Sequence, residues 1–311
     1  MKPVILLFLA LIVCILTNSS LSLYYASLGL ELWFQKMIPA LLPFMILSGI
    51  MVRMKLTEKM SMVLFPVLGP VYRVRKNVVY CMVLGFLCGF PMGARVTSDM
   101  LEHDMLSKKE GEYLLAFCNN IGPVYFCSFV LPLLERQLTL PYLIGMYGIP
   151  LLYGLFLRYT VFQDALSATG SEICSYTTDG TDKKLKGLCL PDALDESVVT
   201  SLQSILTLGG YMILFNLLNL IPHIILGKKP ALLAPLLEIS GGLSMLGGDL
   251  PLYSLLVLSF GGLSCIAQTY SCITKTELSI ESYIRHKFIL TLLNGCYYLC
   301  WFLLSPSSFL R

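Results

Sequence analysis

Most of this chain is laid out as apolar runs separated by short charged segments, and several of the runs carry glycine and proline in their interior. A helix that crosses the hydrocarbon core of a bilayer needs about 20 mostly apolar residues. The 311 residues leave room for roughly seven to nine such passes or half-passes. Hydrophobic residues make up 56% of the chain and charged residues 13%, with a mean hydropathy of +0.75. A soluble fold needs more charge than this to cover its surface. The expected fold is therefore an all-α polytopic membrane protein whose main partner is the lipid bilayer. The net charge of +3 is too small to imply nucleic acid. The positive residues sit between the apolar runs, as loops at a membrane surface do.

The runs predict spans near residues 3–25, 30–52, 77–95, 113–134, 138–162, 197–226, 231–246, 250–272 and 288–304. The first reads as a membrane helix rather than a secretory leader, because no Ala-x-Ala-like site follows it. Pro39 and Pro43 mark a kink in the second. Arg53, Lys55, Lys59, Arg73, Arg75 and Lys76 form the densest positive segment, which the positive-inside rule places in the cytoplasm together with the N-terminus. Of the 11 cysteines most lie within apolar runs and read as small packing residues. Cys174 and Cys189, in the long polar segment at 163–196, form the one plausible pair. This segment, which holds Asp179-Gly180, Lys183, Lys184 and Lys186, divides the chain. The expected organisation is an N-terminal helix (1–29), a first membrane repeat (30–162), a linker (163–196) and a second repeat (197–311).

The halves look related. Pro43-Phe44-Met45-Ile46-Leu47 aligns with Gly210-Tyr211-Met212-Ile213-Leu214, and Gly89 to Arg95 aligns with Gly262 to Gln268, both at a spacing of about 170 residues. Paired repeats with Gly/Pro-broken membrane helices at matching positions point to a transporter site at the midplane, with the repeats inverted relative to one another. Backbone groups freed at such breaks are tolerated only within protein or beside a water-filled cavity. A cavity is thus expected where four breaks meet: Gly89, Pro91 and Gly93; Gly122 and Pro123; Gly241 and Gly242; Gly261 and Gly262.

Polar residues at these breaks are the candidate substrate site. Arg95 offers a bidentate donor for a carboxylate next to a helix expected to start after Pro91; the alternative is a membrane-edge arginine reaching to water. Asn119 and Asn120 lie mid-span and need partners, from a ligand or from the broken backbone around them. Glu238 is a carboxylate in an apolar stretch, which pairs with Arg95, carries a proton, or sits at a boundary near Lys228 and Lys229. Ser264 and Gln268 stand on the counterpart of the Gly89–Arg95 motif, with Gln268 where Arg95 stands; small residues for helix packing are the plainer reading of that segment. Asp99, Glu102, His103 and Asp104 fall in a charged loop and read as solvated. His103, His223 and His286 show no metal spacing, and no nucleophile motif or nucleotide-binding loop occurs. No cofactor, metal or enzymatic activity is expected.

Leu32-Trp33, Pro39-Ala40-Leu41-Leu42-Pro43-Phe44, Gly89-Phe90-Pro91-Met92-Gly93-Ala94, Phe117 to Pro123, and Gly261-Gly262-Leu263-Ser264 with Gln268 resemble, in this order, the YlbJ-like sporulation integral membrane proteins, also called the SpoVV family. The resemblance spans about residues 30–290. It implies the nucleoside-recognition or Gate type of membrane domain, found also in ferrous-iron transporter pores and similar to nucleoside transporters. It implies in turn a carrier that moves dipicolinic acid, a planar dianion, out of the mother cell across the outer forespore membrane. Arg95 and the helix N-termini at the breaks are then its expected partners. Passage of a nucleoside or metal ion, or a non-transport scaffold in spore assembly, are the alternatives. A homo-oligomer is compatible with each.

Overall fold

The computed structural model describes residues 2–136, 138–163 and 189–305. Most of the expected linker, including Cys174, Asp179-Gly180, Lys183, Lys184 and Lys186, lies outside the described residues. Those described form helices and turns with no strand among them. Five helices are long and apolar enough to cross a membrane: Ser19–Arg53, Leu140–Tyr159, Leu190–Leu226, Pro251–Ile273 and Ile280–Leu304. The chain is an all-α polytopic membrane protein.

α1 (Lys2–Thr17) ends at Asn18, where the Thr17 hydroxyl and Asn18 amide donate back to the carbonyls of Val13 and Cys14. Such side-chain bonds compete with the helical ladder. α2 (Ser19–Leu32) then passes through one π turn at Trp33–Met37 into α3 (Ile38–Arg53) without a break. This corrects the expected boundary: the helix runs straight through residues 26–30, and the break lies at Asn18. Gly29 does not interrupt the helix because it is a packing residue, where a Cβ would lie 2.9 Å from the Ile213 Cα. The 35-residue rod Ser19–Arg53 is about 50 Å long, more than the roughly 30 Å core it crosses.

α4 (Thr57–Ser61) and α5 (Phe65–Tyr72) are short. Four helices then form two broken pairs: α6 (Lys76–Cys88) with α7 (Met92–Glu102), and α8 (Lys108–Phe117) with α9 (Pro123–Leu133). The expected solvated loop at 100–112 is largely helical. Ser107 caps α8 by accepting from the Glu110 N–H, while the buried Glu110 carboxylate binds Arg75 and returns a bond to the Ser107 N–H. This reciprocal cap is legible in Ser107-Lys108-Lys109-Glu110.

α10 (Leu140–Tyr159) completes the first half. α11 (Leu190–Leu217) and α12 (Leu220–Leu226) open the second, so the helix begins inside the segment expected to be linker. α11 packs antiparallel to the Ser19–Arg53 rod. Trp33 donates to the Ile205 carbonyl, and Arg53 reaches Ser197, Thr200 and Glu196 at the far end. α13 (Ala234–Leu237), α14 (Ile239–Leu246), α15 (Pro251–Phe260), α16 (Gly262–Ile273) and α17 (Ile280–Leu304) follow. Large apolar side chains stay exposed along α1 (Phe8, Ile12, Leu16), α10 (Leu152, Phe156) and α17 (Leu292, Leu303). In a bilayer these faces meet lipid.

Candidate functional site

The breaks arise from local chemistry. α6 stops at Gly89, whose φ of +79° suits glycine, and α7 restarts with Pro91 at its N-cap. Gly122 precedes a proline and is held extended (φ −78°, ψ 146°), after which Pro123 opens α9. Glu238 is extended between α13 and α14, so the third break lies there. Gly241 and Gly242, expected to break the helix, lie inside α14, and Gly93 likewise lies inside α7. Gly261, at φ +85°, ends α15 and leads into α16.

These four breaks meet. A Cβ on Gly89 would fall 2.2 Å from the Gly122 nitrogen, and one on Gly122 would fall 2.5 Å from the Cys88 carbonyl oxygen. Gly85 and Gly93 face the Cys118 carbonyl at 2.6 and 2.8 Å by the same measure. The α6/α7 and α8/α9 pairs therefore cross backbone on backbone. In the second half Gly242 closes on Pro235, at 2.1 Å from its nitrogen. The halves touch where the Phe90 ring lies against Gly261, and where Tyr125 donates to Ser240 at 3.0 Å.

Two cavities adjoin this junction. The inner one, of ≈ 50 Å³, is lined from all four breaks by Phe90, Ile121, Gly122, Tyr125, Glu238, Ser240, Cys265 and Gln268, and by Leu41 and Leu208 from the long helices. It has room for one or a few waters. The outer one, of ≈ 360 Å³, holds Arg53, Arg95, Asp99, Glu102, His103, Glu196 and Lys275. It falls in the range of small-molecule sites. Leu208 and Gln268 line both and form the neck between them.

The expected site residues are distributed over this arrangement. Arg95 lies in the outer cavity on α7, and its Nε bonds Asp99 at 3.1 Å one turn on. Glu238 lies in the inner cavity. The proposed Arg95–Glu238 pair does not form. Glu238 instead caps α14, accepting from the Ser240 N–H (3.1 Å), the Gly241 N–H (2.7 Å) and Asn216 Nδ2 (2.9 Å). Its carboxylate thus occupies the N-terminus of α14. Gln268 donates to Ser264 at 2.9 Å, so these two act as a unit, with Gln268 alone facing the cavities. Asn119 and Asn120 line neither cavity. Asn119 donates to Thr269 (2.8 Å) and Tyr283 (3.3 Å), and Asn120 donates to the Phe117 carbonyl. Asp99 and Glu102 lie on α7 and His103 caps it, so these three do not form a loop, while Glu102 and Asp104 are exposed as expected. Among the described residues no group of three His, Cys, Asp or Glu side chains could hold a metal ion.

The cap at Glu238 makes a test. Glu238→Ala strands two N–H groups and one amide, each buried, and is expected to cost about 2 kcal/mol or more. Glu238→Gln keeps one acceptor and is expected to lose less. A thermal midpoint of the Ala variant equal to that of the unmodified protein in detergent would contradict the capping role.

One residue at the junction was not legible as a candidate. Lys287 is 2% exposed on α17, two turns inside the helix. Its ammonium donates to the Asn119 carbonyl and to Asn120 Oδ1, both at 3.0 Å, and faces the Phe90 ring at 4.2 Å from its centroid. In the sequence it follows Arg285-His286 and looks like the last residue of a charged loop. The helix start at Ile280, capped by Ser279, was the missed signal.

No protein-family model and no solved structure matches the chain significantly. The chain is similar to the sporulation integral membrane protein YlbJ of Bacillus subtilis (strain 168), with 25% identity over 335 aligned residues that cover 93% of this chain and 79% of that protein. The aligned region takes in all four breaks and both cavities. In fold this is an all-α polytopic membrane protein, and in sequence it is similar to YlbJ.

Proposed function

We propose that the chain is a membrane transporter of a small organic anion that acts in sporulation, and that the anion is dipicolinate, exported from the mother cell toward the forespore. The observation that carries this reading is the meeting of four helix breaks on an inner cavity joined by Leu208 and Gln268 to a cavity of ≈ 360 Å³. Irregular backbone at membrane depth is tolerated where it is buried in protein or lines a water-filled cavity, and transporter sites are built from such broken helices. The two halves add support: each presents a long helix followed by broken pairs, and the long helices pack antiparallel, as elements of inverted repeats do. On this reading the outer cavity, with its Arg53, Arg95 and Lys275, faces the cytoplasm, where positive residues collect. The structure then corresponds to a cytoplasm-open state. The relative YlbJ carries sporulation in its name, which supports a membrane of the sporulating cell as the location.

Arg95 is the capture residue of this scheme. Its side chain is only partly buried and already shared with Asp99, so its net contribution is modest. In vesicles containing the purified protein, Arg95→Gln is expected to raise the dipicolinate concentration for half-maximal uptake about fivefold, and more at low ionic strength. Unlabelled uridine or ferrous iron should compete poorly. Strong competition by either, with dipicolinate uptake unchanged in Arg95→Gln, would favour a nucleoside or metal-ion path instead.

A further inference from the structure

Lys287 is an ammonium group well inside a membrane-spanning helix, and among the described residues no carboxylate lies within 4 Å of it. Ionisable side chains at membrane depth are costly and are retained where they meet a substrate, an ion or a partner charge. Its two hydrogen-bond acceptors, the Asn119 carbonyl and Asn120 Oδ1, are neutral and belong to the broken end of α8. They satisfy the donors without supplying a counter-charge. The third direction faces the Phe90 ring, 4.2 Å away, whose π face attracts a cation. Phe90 and Ile121 also line the inner cavity, whereas Lys287 does not. The ring thus stands between the ammonium and the chamber. Across that chamber Glu238 is held by three donors of its own and forms no pair with Lys287.

We propose that Lys287 is the fixed positive charge of the substrate site and Phe90 its cover: a carboxylate entering the inner chamber displaces the ring and pairs with the ammonium. This rests on the anion-transport reading above and assigns its deep binding residue, with Arg95 confined to capture. A purely structural account is available, in which Lys287 only satisfies the end of α8. The two accounts diverge in variants that keep a hydrogen bond between positions 120 and 287 and change the charge. Lys287→Gln keeps a donor without the charge. Asn120→Asp keeps the shape of its side chain and gives Lys287 a resident counter-ion that competes with substrate.

The test is uptake of labelled dipicolinate by the purified full-length chain in vesicles, with thermal midpoints measured alongside. Both variants are expected to lose uptake by about thirtyfold or more, the scale of removing one partner from a buried charge pair. Asn120→Asp gains a charge-assisted bond to Lys287 and loses the amide's bond to the Phe117 carbonyl, so its thermal midpoint should stay close to that of the unmodified protein. Uptake at the unmodified level in either variant would overturn the assignment of Lys287 while leaving the transport reading in place. No uptake by the unmodified protein would overturn both.

Discussion

Alanine at Gly89 is expected to destabilise the fold by about 4 kcal/mol. The position has φ +79°, which costs a non-glycine residue on the order of 1 kcal/mol or more. The new methyl would also fall 2.2 Å from the Gly122 nitrogen. That neighbour is backbone, so no side-chain rotation relieves the overlap and the α6/α7 and α8/α9 pairs must separate. Overpacking of a fixed core adds about 1–3 kcal/mol. A total near 4 kcal/mol is a large share of the 5–15 kcal/mol that holds a typical domain. The matched control is Gly210→Ala, where nothing lies within 4 Å of the new methyl. There the better helix propensity of alanine should leave stability equal or slightly raised. Thermal midpoints in detergent measure both. A Gly89→Ala protein as stable as the Gly210→Ala protein would mean that the two broken pairs do not cross in contact.

Filling the neck is expected to stop transport without unfolding the protein. Leu208 is buried and touches both cavities. An indole at this position is larger than the leucine it replaces and takes up space that both cavities share. Leu208→Trp should therefore bring uptake to background at a stability cost of about 1–3 kcal/mol. Gln268→Leu, which keeps the neck open but removes its polar group, should reduce uptake about tenfold, the scale of one lost hydrogen bond to a charged solute. Full uptake in Leu208→Trp would show that solute does not pass between these chambers.

The membrane fold and the positions of the breaks were legible because both follow from local rules. Apolar length marks a span, and Gly89 with Pro91, Gly122 with Pro123, and Gly261 with Gly262 each carry the chemistry of a helix end. The break at Asn18 was not legible, since its cause is a pair of side-chain bonds to α1 carbonyls rather than a change of composition. Partners were harder to read than positions. Arg95 and Asp99 are four residues apart on what proved to be one helix, and that pair was hidden by reading the stretch after Arg95 as a loop. Glu238 was visible as a buried acid, but its use as the cap of α14 depends on an extended backbone that the Ile239-Ser240-Gly241-Gly242 run does not announce. Lys287 was missed because the last span was expected to begin at residue 288, one residue beyond it, whereas the helix starts at Ile280 and holds Lys287 two turns deep.

On the function proposed above, the four breaks enclose a path for an organic anion. Uptake of labelled dipicolinate by the purified protein in sealed vesicles, over a range of pH and of sodium and potassium gradients, tests it most directly. The account expects uptake that saturates with dipicolinate concentration, falls when unlabelled dipicolinate competes, and disappears in Leu208→Trp. Vesicles that contain folded protein and take up no more dipicolinate than protein-free vesicles, under every gradient, would contradict it.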